Sequence, residues 1–212
     1  MSAGSVKDSK ICIAEEFFQH LGTRNLLFLG ISGSVSYDPG PDDDIDIFII
    51  TYAGRLWSTI LRAMIVRRIY GLDPICLSLC LDSVSAEEMF NESYDFIVAK
   101  DSLHVLPLFG DSYYNKLVKG SPLIRKFFPE EFYPNERPAF TDRRSGLQDF
   151  ALYLLFSVYL EIKGLFNNHR YEAANEKERC FRTVLGLHRF YLDSLKYQKL
   201  RELRPECGED NA

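Results

Sequence analysis

Asp44 and Asp46 stand one residue apart at the head of the apolar run Ile47-Phe48-Ile49-Ile50. Alternate side chains of a strand share a face, so the two carboxylates project together, close enough to share a divalent cation. Such a pair suits metal-assisted transfer of a phosphoryl-type group. Upstream, Asn25-Leu26-Leu27-Phe28-Leu29-Gly30 reads as a buried strand running into Ile31-Ser32-Gly33-Ser34. A turn of small residues lets backbone N–H groups approach a polyphosphate unobstructed, and Ser34 adds a hydroxyl donor. Nine residues separate Ser34 from Asp44, and the Asp38-Pro39-Gly40-Pro41 segment among them can only be turn or loop. Asp42 and Asp43 read as solvated turn residues. A calcium-binding loop competes poorly, because neither Ile45 nor the strand after it suits one.

This order of turn, loop and Asp-x-Asp strand resembles the nucleotidyltransferase superfamily typified by DNA polymerase beta. Residues 44–129 also look like uncharacterised prokaryotic proteins of that superfamily, in which the Asp-x-Asp strand runs into a Gly-Arg-Leu-Trp helix start, as Gly54-Arg55-Leu56-Trp57 does here. The resemblance implies that Gly33 and Ser34 bind the triphosphate of a nucleoside triphosphate, with ATP the default. It makes Asp44 and Asp46 the catalytic ligands of magnesium in a two-ion site. The implied reaction moves a nucleoside monophosphate to a hydroxyl of a small molecule or protein. A basic residue expected soon after Gly-Ser is missing from Val35-Ser36-Tyr37, which leaves Arg55 as the nucleotide-binding candidate, with a solvated helix-end arginine the equal alternative.

The superfamily also places a third carboxylate mid-strand on a following strand. The corresponding run, residues 75–81, has Ser78 at its centre, with Asp73 and Asp82 at its two ends. The chain therefore stands between an enzyme and a catalytically weak nucleotide-binding or interaction module of the same fold, an antitoxin-like partner included.

The elements that must position these residues follow from periodicity and punctuation. Apolar spacing predicts a helix over 11–21, strands over 25–30, 44–50 and 75–81, and a helix over 56–70 that Gly71 ends. Ser85 and Glu88 form a capping-box pattern opening a short helix. Residues 94–99 read as an additional strand, and 106–134, broken by Pro and Gly, as short helices including 113–119. A linker is expected over 134–146. Residues 147–166 and 179–203 carry helical patterns suited to an antiparallel pair. The expectation is an α+β fold: a nucleotidyltransferase domain over 1–134 with a small mixed sheet and flanking helices, then a C-terminal helical region over 147–203 and a flexible tail over 204–212. Tyr153, Phe156, Tyr159 and Tyr191 could stack a base, although aromatics at helical spacing are more often core.

Composition limits the partners. The chain has 212 residues, of which 46% are apolar, enough for a sizeable core. Its net charge of −5 argues against gripping long nucleic acid and for a small molecule or protein as acceptor. Five scattered cysteines without metal-type spacing suit a reducing cytoplasm. The first residues lack a secretory pattern, and the longest uncharged run, 150–160, falls short of the roughly 20 residues a membrane span requires.

Overall fold

Three strands of almost unbroken apolar sequence, β1 (Leu26–Ser32), β2 (Ile45–Thr51) and β3 (Ile75–Asp82), form the centre of a six-stranded mixed sheet. The computed structural model describes residues 3–93, 95–134, 147–173, 181–194 and 198. Near-continuous Ile, Leu and Phe runs mark strands covered on both faces. Alternate residues accordingly feed two cores. Leu29, Ile31, Ile47 and Ile49 pack with Phe17 of α1 (Ala3–Leu21) and with Trp57 and Ile60 of α2 (Leu56–Ile69). On the other face, Phe28, Phe48, Ile50 and Leu81 meet Phe90 of α3 (Ser83–Glu92) and Tyr114 of α5 (Asp111–Lys119). Phe28 stacks on Tyr114 at 4.1 Å and meets Phe48 edge-on at 5.5 Å.

The sheet order is β4-β1-β2-β3-β6-β5. β1 and β2 are antiparallel, and β2 and β3 are parallel with α2 as the crossover. The edges are β4 (Leu106–Phe109) beside β1, and a hairpin of β5 (Phe181–Gly186) and β6 (Arg189–Ser194) beside β3. The remaining helices are α4 (Phe96–His104), α6 (Pro122–Phe127) and α7 (Leu147–Ala173). The fold is thus mixed α/β, with seven α-helices among the described residues.

Several local readings need correction, and the first residues of the run read as short helices over 106–134 are the edge strand β4. Residues 181–194 are a β-hairpin, so within the described residues 147–173 and 181–194 one long helix is followed by a pair of strands added to the sheet, in place of a helical hairpin. Gly186 pairs with Arg189 around a two-residue turn, and Phe181, Thr183, Val184, Phe190 and Tyr191 are strand-favouring types. The strand read over 94–99 is the start of α4, because the Asp95 carboxylate accepts the Ile97 N–H at 2.8 Å and caps the helix. Asp82, ahead of the Ser85–Glu88 pattern, caps α3 through the N–H groups of Val84 and Ser85. All but the first residue of the linker expected over 134–146, and the tail at 204–212, lie outside the described residues. No helix among the described residues is long and apolar enough to cross a membrane.

Candidate functional site

β1 ends where β2 begins, so the antiparallel register pairs Ser32 with Asp46. Gly33 turns the chain at φ +65° into one turn of 3-10 helix (Gly33–Ser36). That left-handed conformation favours glycine, and a Cβ there would overlap the Asp46 carboxylate. Gly33 therefore allows backbone to lie directly against the acid. The turn is held by the Ser36 hydroxyl, donating to Gly33 O at 2.7 Å, and by the Tyr37 N–H, donating to Ser34 O at 3.0 Å.

The loop into β2 is fastened by α1, a role that the sequence reading did not give it. Lys7 Nζ donates to the carbonyls of Ser36 and Tyr37 at 3.1 and 3.2 Å, and the buried Lys10 ammonium donates to the Asp43 carbonyl. The Gly40 N–H in turn donates to Asp43 Oδ2 at 2.8 Å, closing the turn before Asp44. Asp44 is exposed and Asp46 partly buried, on the sheet face of Phe48 and Ile50.

Burial, then the charge of Asp44 and to a lesser degree that of Asp43, pushes the Asp46 carboxyl up to about 7. Partly offsetting this is the Cys76 thiol, which donates to it from the directly paired position of β3. The Cys76 thiol is itself pushed up to about 12, first by burial and then by the two aspartates, so at neutral pH it is a proton donor. A buried carboxylate with an anionic neighbour is costly unless a cation compensates it.

The pair opens onto a cleft of about 1030 Å³ that Gly33, Ser34, Asp44, Asp46, Cys76 and Ser78 line on one side. Tyr191 and Asp193 of β6 also line it, as does Arg189, the one basic residue among the described lining residues. Nine carboxylate side chains share this lining, so its charge is strongly negative. Asp193 is tied to Gln198, whose Nε2 donates to Oδ2 at 3.2 Å.

Gly33, Ser34, Asp44 and Asp46 are thus brought together, whereas Arg55 is not. It is exposed past the far end of β2, about 20 Å along the strand direction from Asp46, and does not line the cleft. Ser78 occupies an irregularity where Leu77 and Leu79 pair with the consecutive residues Ile47 and Phe48, and its hydroxyl donates to Ile47 O at 3.3 Å. Asp73 lies at the same end of the sheet as Asp44 but is exposed and outside the lining. Asp82 sits at the opposite end, fully buried, accepting from Val84, Ser85 and Gly54 N–H groups and facing His188 Nδ1 at 2.6 Å. Of the aromatics, Tyr191 faces the cleft, while Tyr153 and Phe156 pack against the core.

Among the described residues no three His, Cys, Asp or Glu side chains are grouped to enclose a metal ion. Two neighbouring carboxylates still fit magnesium, which keeps several waters and is commonly held by one or two carboxylates plus substrate phosphates. The crowding of negative charge at Asp46 is what a cation there would relieve. No family model, no curated protein and no solved structure matches the chain.

Proposed function

We propose that this cleft carries out magnesium-dependent nucleotidyl transfer on a sheet of the polymerase-beta kind. The observation that carries the reading is Gly33, which places the Ser34 turn directly against the Asp46 carboxylate, leaving no room for a Cβ. Phosphate oxygens and two carboxylates would then share one small volume. Asp44 and Asp46 would hold the ion, and bound magnesium would polarise the phosphate and offset its charge. Gly33 and Ser34 would seat the triphosphate through backbone N–H groups and the Ser34 hydroxyl. Arg189 replaces Arg55 as the cation facing the phosphates, and Tyr191 offers a ring against which a base can stack. An acceptor hydroxyl then attacks the α-phosphorus in line and pyrophosphate leaves, ATP being the default donor. The acidic lining favours an acceptor, small molecule or protein, with positive charge near that hydroxyl.

A second reading, a nucleotide-binding or interaction module with weak or no turnover, rests on Cys76. The thiol stands opposite Asp46 where a further oxygen ligand for a second ion would be useful. The test is titration with magnesium and ATP, followed by incubation with α-labelled ATP and candidate acceptors. Metal-dependent binding that is lost in Asp44→Ala and Asp46→Ala, together with label transfer, supports the enzyme. Binding without transfer to any acceptor supports the module, and absence of metal-dependent binding overturns both.

A further inference from the structure

We propose that α7 is the seam of a symmetric homodimer, in which the outer face of the helix packs on the same face of a second copy of this chain. Its inner face is fixed to the sheet domain along its length. Asp149 accepts the N–H groups of Trp57 and Ser58 at 3.0 and 2.8 Å, Tyr153 lies 5.4 Å from the Trp57 ring, and a Cβ on Gly164 would crowd Thr183 of β5. With Leu152, Phe156 and Leu160 also packed on the core, the helix cannot rotate to change the face it presents.

That outward face is apolar. Leu154, Leu155, Val158, Ile162, Leu165 and Phe166 are between 49% and 73% exposed, and they recur at the three- and four-residue spacings of one helix side. With Leu147, Phe150 and Tyr159, also exposed, the stripe runs about 30 Å along the axis. At roughly 100 Å² of exposed surface per side chain, it offers about 900 Å² per copy. This exceeds the few hundred square ångströms a monomer commonly exposes and matches the roughly 800 Å² per partner of a standard interface.

A second copy is the occupant these features favour. A two-fold axis across the stripe sets each apolar residue against apolar residues of the same stripe, so a single surface is complementary to itself. Among the described side chains of residues 147–166, the only charges besides the buried Asp149 are Glu161 and Lys163, one of each sign, at the margins of the stripe, where Lys163 lies over the Tyr159 ring. A helix lying on a membrane surface would carry several lysines or arginines beside its apolar face, and over residues 147–166, where the stripe lies, this one has Lys163 alone.

Sedimentation velocity of the full chain over micromolar concentrations is expected to give a species of twice the 24.5 kDa chain mass. The doubly substituted Leu155→Glu, Val158→Glu chain is expected to sediment as a monomer with an unchanged circular dichroism spectrum. A wild-type monomer throughout, or a dimer that survives both substitutions, overturns the proposal. Should the variant fail to fold, hydrogen exchange on the unaltered chain still decides. Protection of residues 150–166 that rises with protein concentration supports the dimer, whereas protection independent of concentration points to a segment of the same chain and overturns it.

Discussion

Asp46 and Cys76 face each other across the parallel β2–β3 ladder, the thiol donating to the carboxylate. Parallel register alone brings them together, because Ile45 pairs with Ile75 and the two strands start at the same end of the sheet. The acid is thereby held beside a neutral donor, on a strand whose nearest other charge is Asp44, of the same sign. An arrangement that raises the free energy of an ionised side chain persists most readily where that side chain has work to do.

The cost can be read from stability. The Asp46 carboxyl is raised to about 7 in the fold, against an ordinary carboxylate value near 4. The folded state therefore binds this proton more tightly than the unfolded chain. The stability it contributes is fully present below about pH 4 and is lost as pH rises through about 7. Asp46→Asn removes this dependence. In magnesium-free urea titrations the variant is expected to match wild type near pH 4 and to exceed it by about 1–3 kcal/mol at pH 8. An equal difference at both pH values would show that the Asp46 charge is not strained.

Cys76→Asp tests whether the site lacks only a further oxygen ligand. Without metal a third carboxylate beside Asp44 and Asp46 should lower the melting temperature, since like charges within a few ångströms repel. With millimolar magnesium the loss should reverse, giving a magnesium-induced rise larger than that of wild type or of Cys76→Ser. Label transfer from ATP that appears or increases in Cys76→Asp would favour the weak-module reading of the natural chain. A magnesium response no larger than wild type would show that position 76 does not reach the ion.

Asp82 separates structural from chemical acids. Its carboxylate satisfies three backbone N–H groups and faces His188 from a fully buried position, at the end of β3 remote from Asp46. Asp82→Ala should cost about 3–5 kcal/mol in denaturant unfolding, because several buried donors lose their acceptor at once. Magnesium and nucleotide affinities of the folded fraction should be unchanged. A selective loss of metal binding at unaltered stability would restore Asp82 to the site.

The parts legible from sequence were those governed by local pattern. The Ile-, Leu- and Phe-rich runs gave β1, β2 and β3, and the glycine of the Gly33-Ser34 turn does sit at positive φ against an acid of the next strand. What escaped depends on register and long-range contact. Cys76 and Ser78 are two residues apart on one strand, and only the pairing with β2 shows that Cys76, not Ser78, stands opposite Asp46. Lys7 and Lys10 precede the helix expected over 11–21, and their value lies in carbonyls about 30 residues away in sequence. The β5–β6 hairpin has apolar residues at spacings that also fit a helix, although its β-branched and aromatic alternation was the available signal. Arg189 and Tyr191 reach the cleft only because that segment is a strand.

Asp149 extends the same lesson to stability, because it caps α2 from 91 residues away. The first turn of a helix leaves N–H groups without intrahelical partners, and Arg55 at the cap position supplies no side-chain bond to them. The buried Asp149 carboxylate takes two, from Trp57 and Ser58, and its negative charge lies at the positive end of the helix dipole. The neighbouring Trp57 indole N–H donates to Gly186 O and Leu187 O at 3.2 and 3.1 Å, so α2, α7 and the β5–β6 turn meet at one point. Asp149→Ala should therefore destabilise by about 2–4 kcal/mol, beyond the ~1 kcal/mol typical of an exposed cap. Trp57→Phe removes the two carbonyl contacts while keeping most of the ring burial, and should cost less. In the double variant the two losses should sum to more than the measured effect, since each weakens the same junction. Strict additivity in urea unfolding would mean that α7 and the hairpin are held to α2 independently.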